Sequence, residues 1–218
     1  MGEKKHINLE HIRNEWASYI KKIQNKYKTI TVDITSFCFK NKLKEDQVYQ
    51  AIVESTLMAI YNFDKYKSKT EVTLENVYFL IETLKNKAKI FENTKFSVES
   101  INFTRDLINN PPNFLNSEKF ASIVQDDVKK NLKSVKIKVL DKKMIQKENM
   151  NLFLSVNAGS AFEPRLVYLD YRPKNMNSKT KHVSLVGKGI TFDTGGYSLK
   201  PSGSMVGMKF DMGGAATV

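Results

Sequence analysis

Four of the charged residues in a glycine-rich stretch near the carboxyl end of this 218-residue chain are of types that bind metal ions or stabilise developing charge: Lys188, Asp193, Lys200 and Asp211. Carboxylate oxygens bind divalent cations, and one carboxylate can bridge two of them. A lysine binds a metal only as the neutral amine, so the metal must displace a proton whose ordinary pKa is about 10.4. A lysine that keeps its proton can instead stabilise the negative charge that develops on a carbonyl oxygen. These residue types therefore indicate hydrolysis assisted by metal ions.

The sequence around these residues resembles the signature of the leucyl aminopeptidase family of metallopeptidases. The family carries V-G-K-G-I-T-F-D-[ST]-G-G-x-S-[IL]-K-P, followed by D-M-G-G-A-A. This chain has VGKGITFDTGGYSLKP at 186–201 and DMGGAA at 211–216. The resemblance implies that Lys188, Asp193 and Asp211 are metal ligands, with Asp193 bridging two dications. It implies that Lys200 is the catalytic lysine, which stabilises the oxyanion.

The same resemblance implies a substrate class and a set of partners. Ser198 falls near the bound peptide, and Met208 lines the pocket for its first side chain. The implied activity is release of N-terminal amino acids, of leucine type, from peptides. Two Mn²⁺ or Zn²⁺ ions per complete subunit and assembly of full-length members into a hexamer are also implied.

Weaker matches extend the resemblance toward the amino terminus. FTRDLINNPPN at 103–113 is similar to the R-D-L-x-N-x-P-x-N element that opens the catalytic domain, and YNFDKYK at 61–67 is similar to a segment late in the family's N-terminal domain. We therefore expect an α/β protein with a short, macro-like N-terminal α/β domain over residues 1–95. A connecting helix is expected to begin near residue 85. Residues 96–218 are expected to form the first part of a zinc-peptidase-like catalytic domain with a mixed sheet.

The family's second acidic motif, N-T-D-A-E-G-R, does not occur in these 218 residues. It supplies the remaining carboxylate ligands and an arginine, so we expect this polypeptide alone to be inactive and to bind at most one dication, weakly. One alternative is a non-catalytic fragment or interaction module. Another is a nucleic-acid-binding module, because the net charge is +12. Since the basic residues are mostly lysines spread along the chain, a solvated surface is the better interpretation. A simple strand and turn with solvated lysines would not explain the whole ordered motif.

Composition favours a soluble cytoplasmic protein. The single cysteine, Cys38, excludes a disulfide framework. The amino-terminal residues contain no apolar signal segment, and no apolar run is long enough to span a bilayer. We expect no membrane partner.

Hydrophobic periodicity predicts alternating helices and strands. Val183–Val186 is predicted to be a buried strand that ends just before Lys188, at the edge where α/β sheets place their sites. Leu152–Val156 is predicted to be another strand. Gly195 and Gly196 are expected to allow positive φ and close backbone approach. The other predicted elements are helices to about Tyr27, over Lys44–Ile60, Lys85–Asn110 and Asp141–Asn149, and strands over Thr29–Ile34, Leu74–Ile81, Ser134–Leu140 and Arg165–Tyr171.

Overall fold

The computed structural model describes residues 7–37, 43–69, 73–82 and 85–218. Cys38 lies outside the described residues. The chain divides into two compact units, Met1–Phe103 and Thr104–Val218, and the division falls inside a long helix. The α/β fold class predicted from the sequence is confirmed.

Two helices and a two-stranded parallel sheet form the centre of the first unit. β1 and β2 pair in parallel, with Thr29 opposite Asn76 and Asp33 opposite Leu80. The first unit also contains one short 3-10 helix at Thr35–Phe37. Its longer elements are α1 (Leu9–Ile23), β1 (Thr29–Asp33), α2 (Glu45–Ala59), β2 (Asn76–Leu80) and the greater part of α3 (Lys87–Asn109).

The core of the first unit follows from the spacing of its apolar residues. Ile12, Trp16 and Ile20 recur every four residues, so they share one face of α1, and that face is buried against α2. The indole N–H of Trp16 donates to Thr56 Oγ1 at 2.7 Å, which satisfies its polar group inside the core. The predicted first helix is confirmed, although it ends at Ile23 and not near Tyr27.

A buried lysine joins the starts of two helices in the first unit. Lys87 is 3% exposed and donates to Asp46, and it lies 3.1 Å from Glu45 Oε1. Its ammonium also lies 5.8 Å from the centre of the Tyr49 ring. Burial acts to lower the pKa of Lys87, but its hydrogen bonds to the Asp46 and Glu45 carboxylates outweigh burial and raise that pKa. Lys87 is therefore a charged structural residue.

The second unit contains short elements around an antiparallel pair. β3 and β4 pair from Val135 opposite Tyr171 to Leu140 opposite Leu166. A 3-10 helix over Met208–Met212 leads directly into the last helix. The labelled elements are α4 (Ser117–Asn131), β3 (Val135–Leu140), α5 (Lys142–Lys147), α6 (Asn151–Asn157), β4 (Leu166–Tyr171), α7 (Ser202–Met205) and α8 (Gly213–Thr217).

Two strand predictions in the second unit are wrong. Leu152–Val156 lies in α6, where Leu152 and Val156 are one helical turn apart. Asn149, at a φ of 54°, separates α6 from α5. Val183–Val186 is not a strand, because no described segment pairs with it. The mixed sheet is also not found, since in the described parts of the second unit the sheet consists of β3 and β4.

One of the longer helices, α4, was not predicted although its signals are present. α4 begins after Asn116, whose side chain accepts from the Lys119 amide. Phe120 and Val128 are buried along the same helix, at spacing that suits one face. The helices and strands predicted elsewhere along the chain are confirmed to within a few residues. No helix in the described parts of the chain combines the length and the apolar character needed to cross a membrane.

Candidate metal and catalytic site

The segment that carries Lys188 is held against the start of α8 by close backbone packing. The Ala215 amide donates to the Lys188 carbonyl at 2.8 Å. A Cβ atom on Gly187 would lie 2.4 Å from the Gly214 carbonyl oxygen, so a larger residue does not fit without a shift. Sequence reasoning missed this role of Gly187 and Gly214, although the small residues of the GGAA run were a signal for close approach.

Asp211 is held by the core of the second unit. It precedes Met212, which is 1% exposed and packs with Leu107, Leu115 and Phe120. Because Met212 is fixed in the core, the position of the Asp211 backbone is fixed as well. Asp211 and Lys188 therefore approach each other from two segments that pack together.

Two further hydrogen bonds tie this region to the carboxyl end of α3. Lys209 Nζ donates to the Asn109 carbonyl at 2.9 Å, and Thr104 Oγ1 donates to the Ala216 carbonyl at 3.0 Å. A lysine beside the last carbonyls of a helix is favoured by the helix dipole. These contacts were not foreseen from the sequence, since they join residues about a hundred positions apart.

Lys188 and Asp211 form a short ion pair. Lys188 Nζ lies 2.6 Å from Asp211 Oδ2, and the lysine side chain is 54% exposed whereas the aspartate side chain is 17% exposed. Asp211 Oδ2 is buried. It is close to the Lys188 ammonium, but the angles of the contact are not those of a hydrogen bond. The contact with Asp211 raises the pKa of Lys188, and the Asp193 charge adds to this effect. In this state Lys188 is an ammonium.

Asp193 and Lys200 are brought together by a tight turn. The Gly195 amide donates to Asp193 Oδ1 at 2.8 Å, and the Lys200 amide donates to the Thr194 carbonyl at 2.9 Å. Gly195 has a φ of 87°, and a Cβ atom there would lie 2.2 Å from the Ser198 carbonyl oxygen. The turn therefore requires glycine, as the sequence predicted.

The turn also sets the charge of its carboxylate. Lys200 Nζ lies 3.5 Å from Asp193 Oδ2. The hydrogen bond from the Gly195 amide lowers the pKa of Asp193, and the charges of Lys200 and Lys188 lower it further. Asp193 is thus an ionised carboxylate at neutral pH.

The two ion pairs form one electrostatic cluster. Lys188 and Asp193 act on each other's pKa, which links the Lys188–Asp211 pair to the Asp193–Lys200 pair. Two ammonium groups balance two carboxylates when all four side chains are charged. A dication could use both carboxylates, but it would have to displace the Lys188 proton before the amine could bind.

The donor set fits a dication incompletely. A buried carboxylate oxygen without a well-aligned hydrogen bond, a second ionised carboxylate and one amine are suitable ligands for a hard or borderline metal ion. In the described residues no three His, Cys, Asp or Glu side chains come together in a metal-binding group. The candidate ligand set therefore depends on Lys188 in addition to the two aspartates.

Ser198 and Met208 lie on the two segments that flank the cluster. Ser198 is exposed in the turn between Gly195 and Lys200. Met208 is half-buried at the first position of the 3-10 helix that contains Asp211. Their roles in binding a peptide stay predictions.

A separate cleft of about 410 Å³ lies between α5, α6 and the loop before β4. None of the four charged site residues lines it. Its mixed lining gives no strong indication of a ligand class. The lining includes Lys142, Gln146, Leu154, Asn157, Phe162 and Glu163.

Comparisons with known proteins agree with the resemblance found in the sequence. Residues 102–218 match the model of the cytosol aminopeptidase family, catalytic domain, and residues 1–70 match that of its N-terminal domain. A probable cytosol aminopeptidase of Metamycoplasma salivarium is 41% identical over 197 residues, which are 89% of this chain and 37% of that protein. One of Persephonella marina is 40% identical over 177 residues, covering 80% of this chain and 35% of that protein.

A solved structure shares the fold. The bottromycin maturation enzyme BotP in complex with Mn superposes with a TM-score of 0.79 at 26% identity, covering 97% of this chain and 43% of that chain. This chain therefore spans well under half the length of the proteins it matches. From the family-model matches to both domains and the identity with curated relatives, we conclude that the chain belongs to the cytosol aminopeptidase family.

Proposed function

We propose that this chain carries part of the active site of a metal-dependent aminopeptidase that releases N-terminal amino acids, of leucine type, from peptides in the cytoplasm. The observation that carries the proposal is the cluster of Lys188, Asp193, Lys200 and Asp211, in which two carboxylates and two amines are electrostatically linked. The names of the curated relatives support the activity and the location. Assembly into a hexamer stays a prediction from the family resemblance.

In this proposal Lys188, Asp193 and Asp211 would hold the divalent cations, and Asp193 would be a ligand that both ions use. Manganese or zinc suits this mixture of oxygen and nitrogen ligands, and the Mn complex of BotP supports manganese. The metal ions would supply a nucleophilic water at neutral pH and polarise the scissile carbonyl. Lys188 would have to lose its proton to serve as a ligand, because an ammonium has no lone pair.

Lys200 has a different part in the proposal. Its contact with Asp193 is 3.5 Å long, which leaves most of its three N–H donors available to a substrate. The ammonium binds the carbonyl oxygen of the scissile peptide and stabilises the negative charge that develops there. Ser198 is placed beside the bound peptide, and Met208 contacts its first side chain.

A polypeptide limited to residues 1–218 should bind at most one dication, and weakly. Three candidate ligands are too few for two sites, because a stable site in a protein usually has about four protein or solvent ligands with at least three from the protein. Elemental analysis after dialysis against micromolar Mn²⁺ or Zn²⁺ should find less than one ion per chain. Two ions per chain would contradict this expectation. Hydrolysis of leucyl substrates by this polypeptide should be absent.

The roles of the site residues can be separated in a longer protein. Residues 1–218 would be fused to the part of the Metamycoplasma salivarium relative that follows its match to this chain. In this fusion Lys200→Ala should lower turnover about 100- to 1,000-fold, as expected for loss of one oxyanion donor, with little change in metal content. Asp193→Ala should lower the metal content itself, since it removes the shared ligand.

The measurement is metal content against turnover of a leucyl substrate for both variants of the fusion. Ser202→Ala is a suitable control, because Ser202 is exposed at the start of α7 and has no role in the proposal. Equal metal loss in both site variants, or full activity of Lys200→Ala, would show that the lysine has been given the wrong role.

A further inference from the structure

One lysine beside the candidate site has no part in the proposed mechanism. Lys209 stands two residues before Asp211, and both lie in the 3-10 helix Met208–Met212. Lys209 Nζ donates to the Asn109 carbonyl at 2.9 Å, and the contact is partly buried. Asn109 is the last residue of α3, so this contact ties the 3-10 helix to the end of α3.

The end of α3 needs a hydrogen-bond donor from elsewhere in the chain. The last carbonyls of a helix have no partners within it, and the amide N–H groups of the following residues commonly cap them. α3 is followed closely by Pro111 and Pro112, which have no amide N–H. A lysine can supply the donor, and the helix dipole favours a positive charge at this end. Lys209 therefore has a physical reason to bind the Asn109 carbonyl.

The same contact helps to decide where Asp211 points. Side chains three residues apart eclipse each other in a 3-10 helix, so Lys209 and Met212 share one face of it. Met212 is 1% exposed and packs with Leu107 of α3, so this face lies against the end of α3. Asp211 lies on a different face, and its Oδ2 is 2.6 Å from Lys188 Nζ. Two contacts of one face with α3 thus direct the carboxylate toward Lys188.

The Met212 contact alone does not fix this direction. It fixes where the Asp211 backbone lies, but the 3-10 turn could still rotate about that point. A 3-10 helix has poor hydrogen-bond geometry and exists in short pieces, so tertiary contacts must hold it. Its N-cap residue, Gly207, makes no side-chain hydrogen bond to the helix. The contact of Lys209 with α3 is therefore the anchor that prevents the rotation.

We propose that Lys209 is a positioning residue, which fixes the carboxylate of Asp211 beside Lys188 through its hydrogen bond to the end of α3. Lys209 acts through Asp211 and binds neither a metal ion nor a peptide. Its effect on metal binding rests on the proposed function, because Asp211 is a metal ligand only there. Its effect on the geometry of the site does not depend on any activity.

Zero-length cross-linking of the metal-free 218-residue chain tests the geometry. A carbodiimide joins a carboxylate and an amine that are already in contact, and mass spectrometry identifies the linked residues. Both ion pairs of the cluster should form a link, since their atoms are 2.6 Å and 3.5 Å apart. In Lys209→Met the yield of the Lys188–Asp211 link should fall by about half or more relative to the other link, because loss of a charged group's hydrogen bond changes an equilibrium roughly tenfold.

Three further variants keep the test specific. Lys209→Arg keeps a donor of similar reach and should restore the lost link. Lys174→Met removes the same charge from an exposed position in the same unit and should leave both links unchanged. Thr104→Val removes the hydroxyl that donates to the Ala216 carbonyl, so it loosens α8 on α3 and leaves Lys209 in place. This variant should lower the ratio of the links less than Lys209→Met does.

Folding of the variants is checked separately. Methionine keeps the apolar stem of the lysine and removes only its donor, so the far-UV circular dichroism of Lys209→Met should match that of the unchanged chain. If it does not, Lys209→Gln replaces it, since glutamine is polar but too short to reach the same carbonyl.

Metal binding gives the second readout. In the fusion with the Metamycoplasma salivarium polypeptide, Lys209→Met should weaken Mn²⁺ binding about tenfold or more, within the range seen when groups that orient metal ligands are removed. The electron paramagnetic resonance signal of free Mn²⁺ measures this. Lys209→Arg should recover most of the affinity, and Lys174→Met should bind as the unchanged fusion does. Turnover of the metal-saturated fusion should change little, since Lys209 does not touch the substrate.

An unchanged ratio of the two links in Lys209→Met, no recovery in Lys209→Arg, or an equal fall in Thr104→Val would each overturn the proposal. Absence of the Lys188–Asp211 link from the unchanged chain would do the same, as would unchanged Mn²⁺ affinity of Lys209→Met in a fusion that binds metal. A fusion that binds no metal and hydrolyses no leucyl substrate would refute the proposed function, and the ratio of the links would still decide the role of Lys209.

Discussion

Substitution of Gly187 by alanine tests whether close backbone packing places Lys188 beside Asp211. The added Cβ would lie 2.4 Å from the Gly214 carbonyl oxygen and 2.6 Å from Ala215 Cα. Both neighbours are backbone atoms, so neither can move by a change of side-chain rotamer. The backbone segment that carries Gly187 and Lys188 must therefore move away from the start of α8. This movement lengthens the hydrogen bond from the Ala215 amide to the Lys188 carbonyl.

The expected cost has two parts. Overpacking of a well-packed region costs about 1–3 kcal/mol. Loss of one backbone hydrogen bond costs about 1 kcal/mol. The second unit should therefore lose roughly 2–4 kcal/mol in its free energy of unfolding. The 2.6 Å contact of Lys188 with Asp211 should lengthen in the same variant, since the two segments carry these residues.

Two observables distinguish this effect from general destabilisation. Hydrogen exchange of the Ala215 amide should become faster in Gly187→Ala, because that amide loses its acceptor. Urea unfolding followed by far-UV circular dichroism should show the loss of stability. The fluorescence of Trp16, the one tryptophan in the sequence, reports the first unit, and its unfolding midpoint should not change.

Gly159→Ala is the matched control. Gly159 is in the second unit, and a Cβ atom there would meet nothing within 4 Å. This variant should be within about 0.5 kcal/mol of the unchanged chain. If Gly187→Ala were as stable as Gly159→Ala and exchanged the Ala215 amide at the same rate, close packing at Gly187 would not be what positions Lys188.

Three other expectations follow from single contacts. Lys87→Met should lower the free energy of unfolding by roughly 1–3 kcal/mol at neutral pH, because it removes the buried ammonium from its two carboxylates. Since the pKa of Lys87 is raised, the stabilisation by Lys87 should be present below about pH 10.4 and lost as pH rises through the raised pKa. Urea unfolding measures this, and an equal alkaline loss of stability in the variant would contradict it. Gly195→Ala should lower the melting temperature of the second unit more than Gly196→Ala does. Both glycines have a positive φ, but a Cβ atom would have open space only at Gly196. Equal melting temperatures of the two variants would argue against the tight turn. Binding of Mn²⁺ or Zn²⁺ should strengthen as pH rises and should release protons, because the pKa of Lys188 is raised and its ammonium must lose a proton before the amine can bind. Calorimetry in two buffers of different ionisation enthalpy measures the proton release. Binding that is independent of pH and equal to that of Lys188→Met would show that the lysine is not a ligand.

Local sequence patterns predicted most of the helices and the family. The apolar spacing of α1 and the cap at Asp141 of α5 are short-range signals, since each depends on residues within a turn or two. The need for glycine at position 195 was also visible, because a tight turn after a carboxylate is a local feature. The family signature is likewise a contiguous run of residues.

Pairing and approach between distant segments were decided by the tertiary structure. The β-branched residues of Val183–Val186 predict a strand, but a strand forms only where a neighbour completes its hydrogen bonds, and no described segment does so. The contact of Lys188 with Asp211 depends on the packing of Gly187 against Gly214. The small residues are visible in the sequence, but no local pattern says which segment packs against which. The sequence by itself therefore determined which residues could bind a metal and which turn could hold Asp193. Only the tertiary structure decided that the two ion pairs form one cluster, because electrostatic coupling depends on distances in space and not on spacing along the chain.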